Sequence, residues 1–259
     1  MEWWQENALD QQVLTSILVV MRIAGFVATA FSLGAARVPL SVRFAIVVSI
    51  SLLLIPAQVS TERPEMNSWP AFFLAITSEG ILGAILGSLL GIVVASIAFG
   101  GSWIAQQAGW SVGDLFASEY SLPSSEFGRW YGLFAMSIFF LISGHRMMIG
   151  SLLETFRMIP AGEVVLTENQ IFLVHVLVGR SLHLTVQVAT PVVLTLLLAS
   201  VSLGVINRFV PQLHFWAIGL PVRAFLGMAL VSISLMGVVF VLQNEVPLML
   251  EQVSREILK

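Results

Sequence analysis

Long apolar runs alternate along the chain with short polar connections that contain proline or glycine. The first two runs cover about residues 13–33 and 40–57, and the short connection between them predicts a helical hairpin. The third covers residues 80–113, about 34 residues, whereas roughly 20 residues cross a bilayer as a helix. It forms either one long tilted helix or a helix that breaks at Gly100 and Gly101 and re-enters the membrane. We favour the break.

A polar segment, residues 106–129, separates these runs from three more apolar runs. Pro191 lies inside the second of the three, and Pro221 lies inside the third. Because an interior proline removes a helical hydrogen bond, we predict broken helices at both positions. The three runs cover about residues 130–144, 171–203 and 212–242.

This pattern predicts one all-α domain over residues 1–259, a polytopic membrane-class protein. Residues 1–12 are acidic and lack the basic start of a cleavable signal peptide, so we expect them to be retained, either as an amphipathic foot or as a frayed end. The predicted parts are helical hairpins over 1–105, a polar loop over 106–129, broken helices over 130–244 and an amphipathic tail over 245–259.

Composition places the chain outside the range of soluble globular proteins. Hydrophobic residues make up 57% and charged residues 10%, and the mean hydropathy is +0.92. The net charge is −3 and there is no run of basic residues, so we do not expect the chain to bind nucleic acid. The absence of cysteine excludes disulfides and thiol chemistry.

Ionisable residues lie within or beside nearly every apolar run. A lone charge at the bilayer centre costs roughly 2.5–3.5 kcal/mol, so such residues are expected to face protein, a partner or a wet cavity. Glu79 is suited to binding a cation, taking up protons or pairing with an arginine of a neighbouring helix, and we prefer the pairing. The other residues of this kind are Arg22, Arg43, Arg146, Arg180 with His183, and Arg223.

Glycines follow Glu79 at intervals that place them on one helical face. Gly83, Gly87 and Gly91 repeat every four residues, and Gly80 lies three residues before Gly83. Small residues at this spacing allow another helix backbone to approach closely, so we predict a packing face here.

The sequence offers little for catalysis or for a cofactor. It contains no His-Glu-x-x-His motif, no Gly-x-Ser-x-Gly motif and no phosphate-binding Gly-x-x-x-x-Gly-Lys-Ser/Thr loop. His175 and His183 are two helical turns apart, but a metal site would need further ligands. We therefore predict a protein that is not an enzyme and has no metal or cofactor.

One segment resembles the signature of a known family. Residues 204–221 contain Asn-Arg-x-x-Pro-Gln-Leu from Asn207 and Ile-Gly-Leu-Pro from Ile218, and this stretch resembles FliR, the export-gate component of flagellar type III secretion, also called SctT-like. Further matches occur in order along the whole chain. They are Arg22 through Pro39, Glu79-Gly80 with Gly83 and Gly87, Gln107-Ala-Gly109, and Gly144-His145 ahead of Pro160.

The resemblance implies a core channel subunit of kinked helical hairpins in a helical complex. Members of that family assemble with FliP and FliQ in the bacterial inner membrane at the flagellar basal body, associate with FlhB and FlhA, and pass unfolded flagellar proteins. The resemblance implies that certain polar and charged residues, which are unfavourable in an isolated membrane helix, make contacts between subunits. These are Arg22, Arg43, Glu79, Arg180, Asn207, Arg208, Gln212 and Arg223.

The same resemblance implies that the polar loop acts as a pore plug. Its glycines would let the chain fold into a narrow pore, and its aromatic rings would exclude water. An ordinary surface loop is the alternative. The plug candidates are Gln106, Gln107, Gly109, Trp110, Ser111, Val112, Gly113 and Phe116.

Three other functions stay open. The corresponding subunit of a virulence injectisome shares the architecture. A secondary transporter would use Glu79 and helices broken at Pro191 and Pro221, but we find no internal repeat. An intramembrane hydrolase would rest on Ser143 and His145, which are two residues apart and point to different sides of a helix.

Overall fold

Helices account for the apolar pattern in every part of the chain that the structure describes. The computed structural model describes residues 8–31, 38–59, 69–110, 126–164, 168–209 and 215–257. Within these ranges there are seven helices and no strand, which confirms the predicted all-α class. The helices are α1 (Ala8–Ala30), α2 (Leu40–Val59), α3 (Trp69–Ala108), α4 (Glu126–Leu141), α5 (Gly144–Met158), α6 (Glu168–Phe209) and α7 (Phe215–Ile257).

Several of these helices are suited to a bilayer. Four are long and apolar enough to cross a membrane, and α4 with α5 can be counted as a fifth, broken span. The described part of the chain is therefore that of a polytopic membrane protein. The predicted hairpin of the first two apolar runs is present as α1 packed against α2. The acidic start of the chain, up to residue 7, lies outside the described residues.

The predicted break at Gly100 and Gly101 is wrong, because α3 is continuous over 40 residues. The two glycines serve close packing instead. A Cβ added at Gly101 would stand 2.5 Å from Tyr131 Cγ, and one added at Gly100 would stand 3.3 Å from the Thr185 carbonyl oxygen. Thr185 Oγ1 also donates a 3.1 Å hydrogen bond to the Ser96 carbonyl, which joins α6 to α3.

The predicted breaks at Pro191 and Pro221 are also wrong, since α6 and α7 continue through both residues. A proline removes one hydrogen bond, but ending the helix in an apolar setting would leave several backbone groups without partners. The chain instead breaks after Leu141, where Ser143 adopts a left-handed conformation with φ 59°. The predicted separate tail is the end of α7.

The chain forms two compact units. Unit 1 contains residues 1–92, 143–178 and 247–259, and unit 2 contains residues 93–142 and 179–246. The core of unit 1 includes Leu18, Ile23, Leu82 and Leu152, all fully buried. The core of unit 2 includes Ile97, Ile104, Leu184, Leu196 and Leu242, which are also fully buried.

In unit 1, α1 crosses α3 with the two backbones in direct contact. A Cβ added at Gly83 would overlap the carbonyl group of Arg22, and one added at Gly87 would overlap that of Phe26. Gly25 of α1 stands in the same way against the carbonyl of Gly80. Sequence reasoning found the glycines of α3 but missed Gly25, which is the matching small residue on the other helix.

One hydrogen bond reinforces this crossing. Thr29 Oγ1 lies 2.9 Å from the Ala84 carbonyl oxygen, to which it is placed to donate. Gly91 is buried further along the same helix. Close approach of the backbones shortens the distance between the side chains on either side of the crossing, among them Arg22 and Glu79.

The glycines of the crossing should differ sharply in their tolerance of a methyl group. Gly83→Ala should lower the stability of the purified protein by about 1–3 kcal/mol, because the added Cβ meets backbone that has no room to move. Gly80→Ala is the matched control, since its Cβ would meet only Met21 Cε at 3.8 Å. Thermal unfolding in detergent measures both variants. Equal stability of the two would contradict the close crossing.

Candidate functional site

The most deeply buried charged groups of unit 1 form one bidentate ion pair. Arg22 of α1 and Glu79 of α3 are both 0% exposed. Arg22 Nε donates to Glu79 Oε2 at 2.5 Å, and Arg22 Nη2 donates to Glu79 Oε1 at 3.0 Å. Two parallel hydrogen bonds fix the relative orientation of the guanidinium and the carboxylate, and hence the register of the two helices.

The remaining hydrogen-bonding capacity of the pair is directed at the connection between α5 and α6. Arg22 Nη1 donates to the carbonyl of Ile159 at 3.1 Å, and the Gly162 N–H donates to Glu79 Oε1 at 2.7 Å. The ring of Phe156 lies 4.2 Å below the guanidinium carbon, in position for a cation–π interaction. The ion pair therefore ties three separate parts of the chain together.

Local backbone geometry explains how the connection reaches the ion pair. Helix α5 ends at Met158, and the next residue, Ile159, is extended, with φ −126° and ψ 99°. The N–H of Glu163 donates to the Pro160 carbonyl at 3.2 Å and closes a turn. Gly162 has φ +99°, a conformation that disfavours any side chain, and this aims its N–H at the carboxylate.

This arrangement differs from the expectation that Arg22 and Glu79 pair with other subunits. The preferred pairing of Glu79 with an arginine of a neighbouring helix is what the structure contains, and the helix belongs to the same chain. Burying either charge alone would be costly, whereas the pair with its two backbone partners leaves little unsatisfied. The sequence alone did not decide which of several arginines is the partner of Glu79.

Two other arginines also have partners within the chain. Arg43 donates from Nε to the Val38 carbonyl and from Nη2 to the Phe31 carbonyl, both at 3.1 Å, at the turn between α1 and α2. Arg180 Nη1 lies 3.3 Å from Glu245 Oε2 in unit 2, and the arginine side chain is 39% exposed. Glu245 is 16% exposed, so this pair is partly buried, and it makes one contact where the pair of Arg22 and Glu79 makes two.

The other expected inter-subunit residues stay predictions. Asn207 is half-buried and Arg208 is exposed near the end of α6, while Gln212 lies outside the described residues. Arg223 Nε is buried and has no hydrogen-bond partner among the residues that the structure describes.

The structure describes only the entry of the predicted plug. Gln106 and Gln107 belong to the last turn of α3, and Gly109 follows with φ +82°. The Trp110 ring stacks on the Phe127 ring of α4 at a centroid distance of 4.1 Å. The other plug candidates, Ser111, Val112, Gly113 and Phe116, lie outside the described residues.

Two glycines of unit 2 allow close contacts at and beside Trp110. A Cβ added at Gly227 of α7 would stand 3.0 Å from Trp110 Cζ2, and one added at Gly109 would stand 3.0 Å from Leu220 Cδ2. Trp110 is therefore held against α4 and α7. Because Trp110 and Phe127 are in contact, the described residues before and after the gap at 111–125 lie close together.

The site offers polar contacts but no assembled reactive group. No three His, Cys, Asp or Glu side chains are grouped to hold a metal ion anywhere in the described ranges. Ser143 forms the left-handed turn before α5 and does not lie on a helix face with His145. What the geometry supports is mechanical coupling of helices.

These features define a helical membrane protein in which a buried ion pair joins α1, α3 and the connection after α5. The family model described as "Bacterial export proteins, family 1" matches residues 13–249. The chain belongs to that family, and the resemblance to FliR is confirmed. It is therefore a bacterial export protein, from a family of secretion components and not from an enzyme family.

Several known proteins align with this chain over most of their lengths. The flagellar biosynthetic protein FliR of Aquifex aeolicus is 24% identical over 91% of this chain and 90% of its own. That of Escherichia coli is 27% identical over 82% and 81%. The secretion system apparatus protein SsaT of Salmonella typhimurium is 24% identical over 78% of each chain.

Breaking the fully buried ion pair should destabilise the protein more than breaking the partly exposed one. Arg22→Met or Glu79→Met should each cost about 3–5 kcal/mol, since each leaves a buried charge without its partner. The matched control is Arg180→Met, which should cost less, because it removes a single contact of 3.3 Å between groups that are 39% and 16% exposed. Unfolding in detergent measures the differences.

The exchanged double variant gives a sharper result. Arg22→Glu combined with Glu79→Arg should not restore stability, because the new carboxylate would face the Ile159 carbonyl and the new guanidinium would face the Gly162 N–H. Full restoration of the free energy of unfolding would show that these two backbone contacts contribute nothing to stability.

Proposed function

We propose that this protein is a core channel subunit of the flagellar type III export gate, which passes unfolded flagellar proteins across the bacterial inner membrane. The observation that carries the proposal is the family match over residues 13–249, together with flagellar relatives aligned over about nine-tenths of their length. In this proposal FliP and FliQ surround the subunit at the flagellar basal body, and FlhB and FlhA act beside it.

The uneven burial of the candidate spans supports a role within an assembly. In α3, 67% of the most apolar window is buried within the chain, whereas the value is 17% for α6 and 28% for α7. Large apolar side chains cover the outer faces of α6 and α7. Lipid alone would tolerate such faces, but other helical subunits would also pack there.

The similarity to SsaT supports one second candidate, the corresponding subunit of a virulence injectisome. The flagellar function is preferred because FliR of Aquifex aeolicus aligns over more of this chain than SsaT does.

Deleting the gene in the native host distinguishes the two. We expect loss of swimming and of extracellular flagellin, with both restored by the wild-type gene and neither restored by a frame-shifted copy. A deletion strain that still swims but no longer secretes effector proteins would favour the injectisome. A strain that loses neither would refute both.

We further propose that the segment beginning at Gln106 restricts leakage through the gate before a substrate arrives. The support is that the stacked rings of Trp110 and Phe127 bring the described residues on the two sides of this segment together. Gly227 leaves room for the Trp110 ring beside α7, and Gly109 leaves room for the Leu220 side chain.

Removing the stacking of Trp110 on Phe127 should raise the passive ion leak of the assembled gate. Trp110→Ala removes a stacking contact worth about 0.5–1.5 kcal/mol, so the leak should rise by up to about tenfold. Trp110→Phe should stay near the wild type, because a ring still faces Phe127. Deleting residues 109–116 should raise the leak more than either. Conductance across cells or liposomes carrying the whole gate measures this, and an unchanged leak in the deletion would refute the plug.

A further inference from the structure

One face of α7 touches the chain where α3 ends. A Cβ added at Gly227 would stand 2.9 Å from Ala108 Cβ, and Ala108 is itself buried. A Cβ added at Gly109 would stand 3.0 Å from Leu220 Cδ2. Leu220 and Gly227 are about two helical turns apart, so they lie on the same face of α7. We call these two residues the α7 seat, because residues 108–110 rest on them.

The contact with Trp110 gives a reason for the glycine at position 227. Glycine destabilises the interior of a helix, so a glycine there usually serves a close approach. An added Cβ at Gly227 would stand 3.0 Å from Trp110 Cζ2 and 3.3 Å from Cη2. At Gly237 of the same helix, in contrast, it would meet no heavy atom within 4 Å. A side chain at position 227 would therefore push the indole ring away from α7.

Leu220 belongs to the Ile-Gly-Leu-Pro stretch that begins at Ile218, and its side chain supports the turn after α3. Gly109 has φ +82°, so the chain turns sharply there and brings its backbone against Leu220. The Gly109 N–H donates to the Gln106 carbonyl at 3.1 Å and closes the turn. Leu220 thus contacts the residue directly before Trp110.

Apolar contacts hold the Trp110 ring between two helices of unit 2. On one side the ring stacks on Phe127 of α4, with the centroids 4.1 Å apart and the planes inclined by 23°. On the other side it meets Gly227 of α7. Dispersion contacts weaken steeply when a gap of even half an ångström opens. The position of α7 therefore decides how firmly the ring is held.

We propose that Leu220 and Gly227 are positioning residues of the gate: they seat Gly109 and Trp110 and thereby set how tightly the segment beginning at Gln106 restricts leakage. The inference rests on the proposed function, because it takes the restriction of leakage from there. It goes further by giving α7, and Leu220 of the Ile-Gly-Leu-Pro stretch, a part in keeping the gate closed.

The first arm of the test measures the passive ion leak of liposomes that carry the whole gate. Gly227→Ala should raise the leak by about fivefold, because the added methyl group displaces the Trp110 ring. Leu220→Ala should raise it by about twofold. Gly237→Ala is the matched control and should leak like the wild type, since its Cβ has open space. Equal yields of purified complex verify assembly. Equal leaks of Gly227→Ala and Gly237→Ala would overturn the proposal.

The second arm asks whether position 227 acts through the Trp110 ring. Trp110→Phe removes the ring atoms that lie nearest to Gly227, so adding it to Gly227→Ala should bring the leak back toward that of Trp110→Phe alone. If Gly227 only stabilised the fold, the two changes would add instead. A double variant that leaks more than Gly227→Ala would therefore overturn the positioning role.

The third arm separates the α7 seat from the proposed plug. Amide hydrogen exchange of residues 106–110 in the assembled gate should quicken by about threefold or more in Gly227→Ala and stay unchanged in Gly237→Ala. Faster exchange with an unchanged leak would overturn the proposal, because the seat would then not control leakage. If deleting residues 109–116 raises the leak but neither seat variant does, the proposal is wrong and the plug stands. If the deletion leaves the leak unchanged, both are refuted.

Discussion

The buried pair of Arg22 and Glu79 is the constraint on which the arrangement of unit 1 depends. Neither group can be left alone in an apolar interior, so α1 and α3 must keep the register that brings the two side chains together. The guanidinium and the carboxylate then use their remaining capacity on the backbone at Ile159 and Gly162. One ion pair thus positions two helices and the connection after α5.

The glycine crossing and the ion pair require each other. Gly25, Gly83 and Gly87 bring the backbones of α1 and α3 into contact, and this closeness allows a short, bidentate pair. The pair in turn fixes which residues face each other at the crossing, so packing and electrostatics select the same register. A larger residue at position 83 would separate the helices, and removing either charge would take away the preference for that register.

The sequence predicted what depends on local pattern, which includes the helical class, the first hairpin and the small-residue face of α3. It failed where a local signal had two meanings. Gly100, Gly101, Pro191 and Pro221 predicted breaks, but neighbouring side chains occupy the space beside the glycines and the apolar surroundings keep the prolines within helices. The partner of Glu79 lies 57 residues away, and no pattern distinguished Arg22 from the other arginines.

Buried charges and buried hydroxyls are satisfied to different degrees, and this difference bears on assembly. Among the described residues of unit 1, Arg22, Arg43 and Glu79 all find partners within the chain. Ser51 Oγ of unit 1 and Arg223 Nε of unit 2 are buried without a hydrogen-bond partner among the described residues. An unsatisfied buried polar group is costly, so each of these two groups gains free energy from any partner that supplies the missing bond. The ion pair of α1 and α3 is therefore complete within the chain, whereas each unit retains a polar group that contact with other protein or water can satisfy.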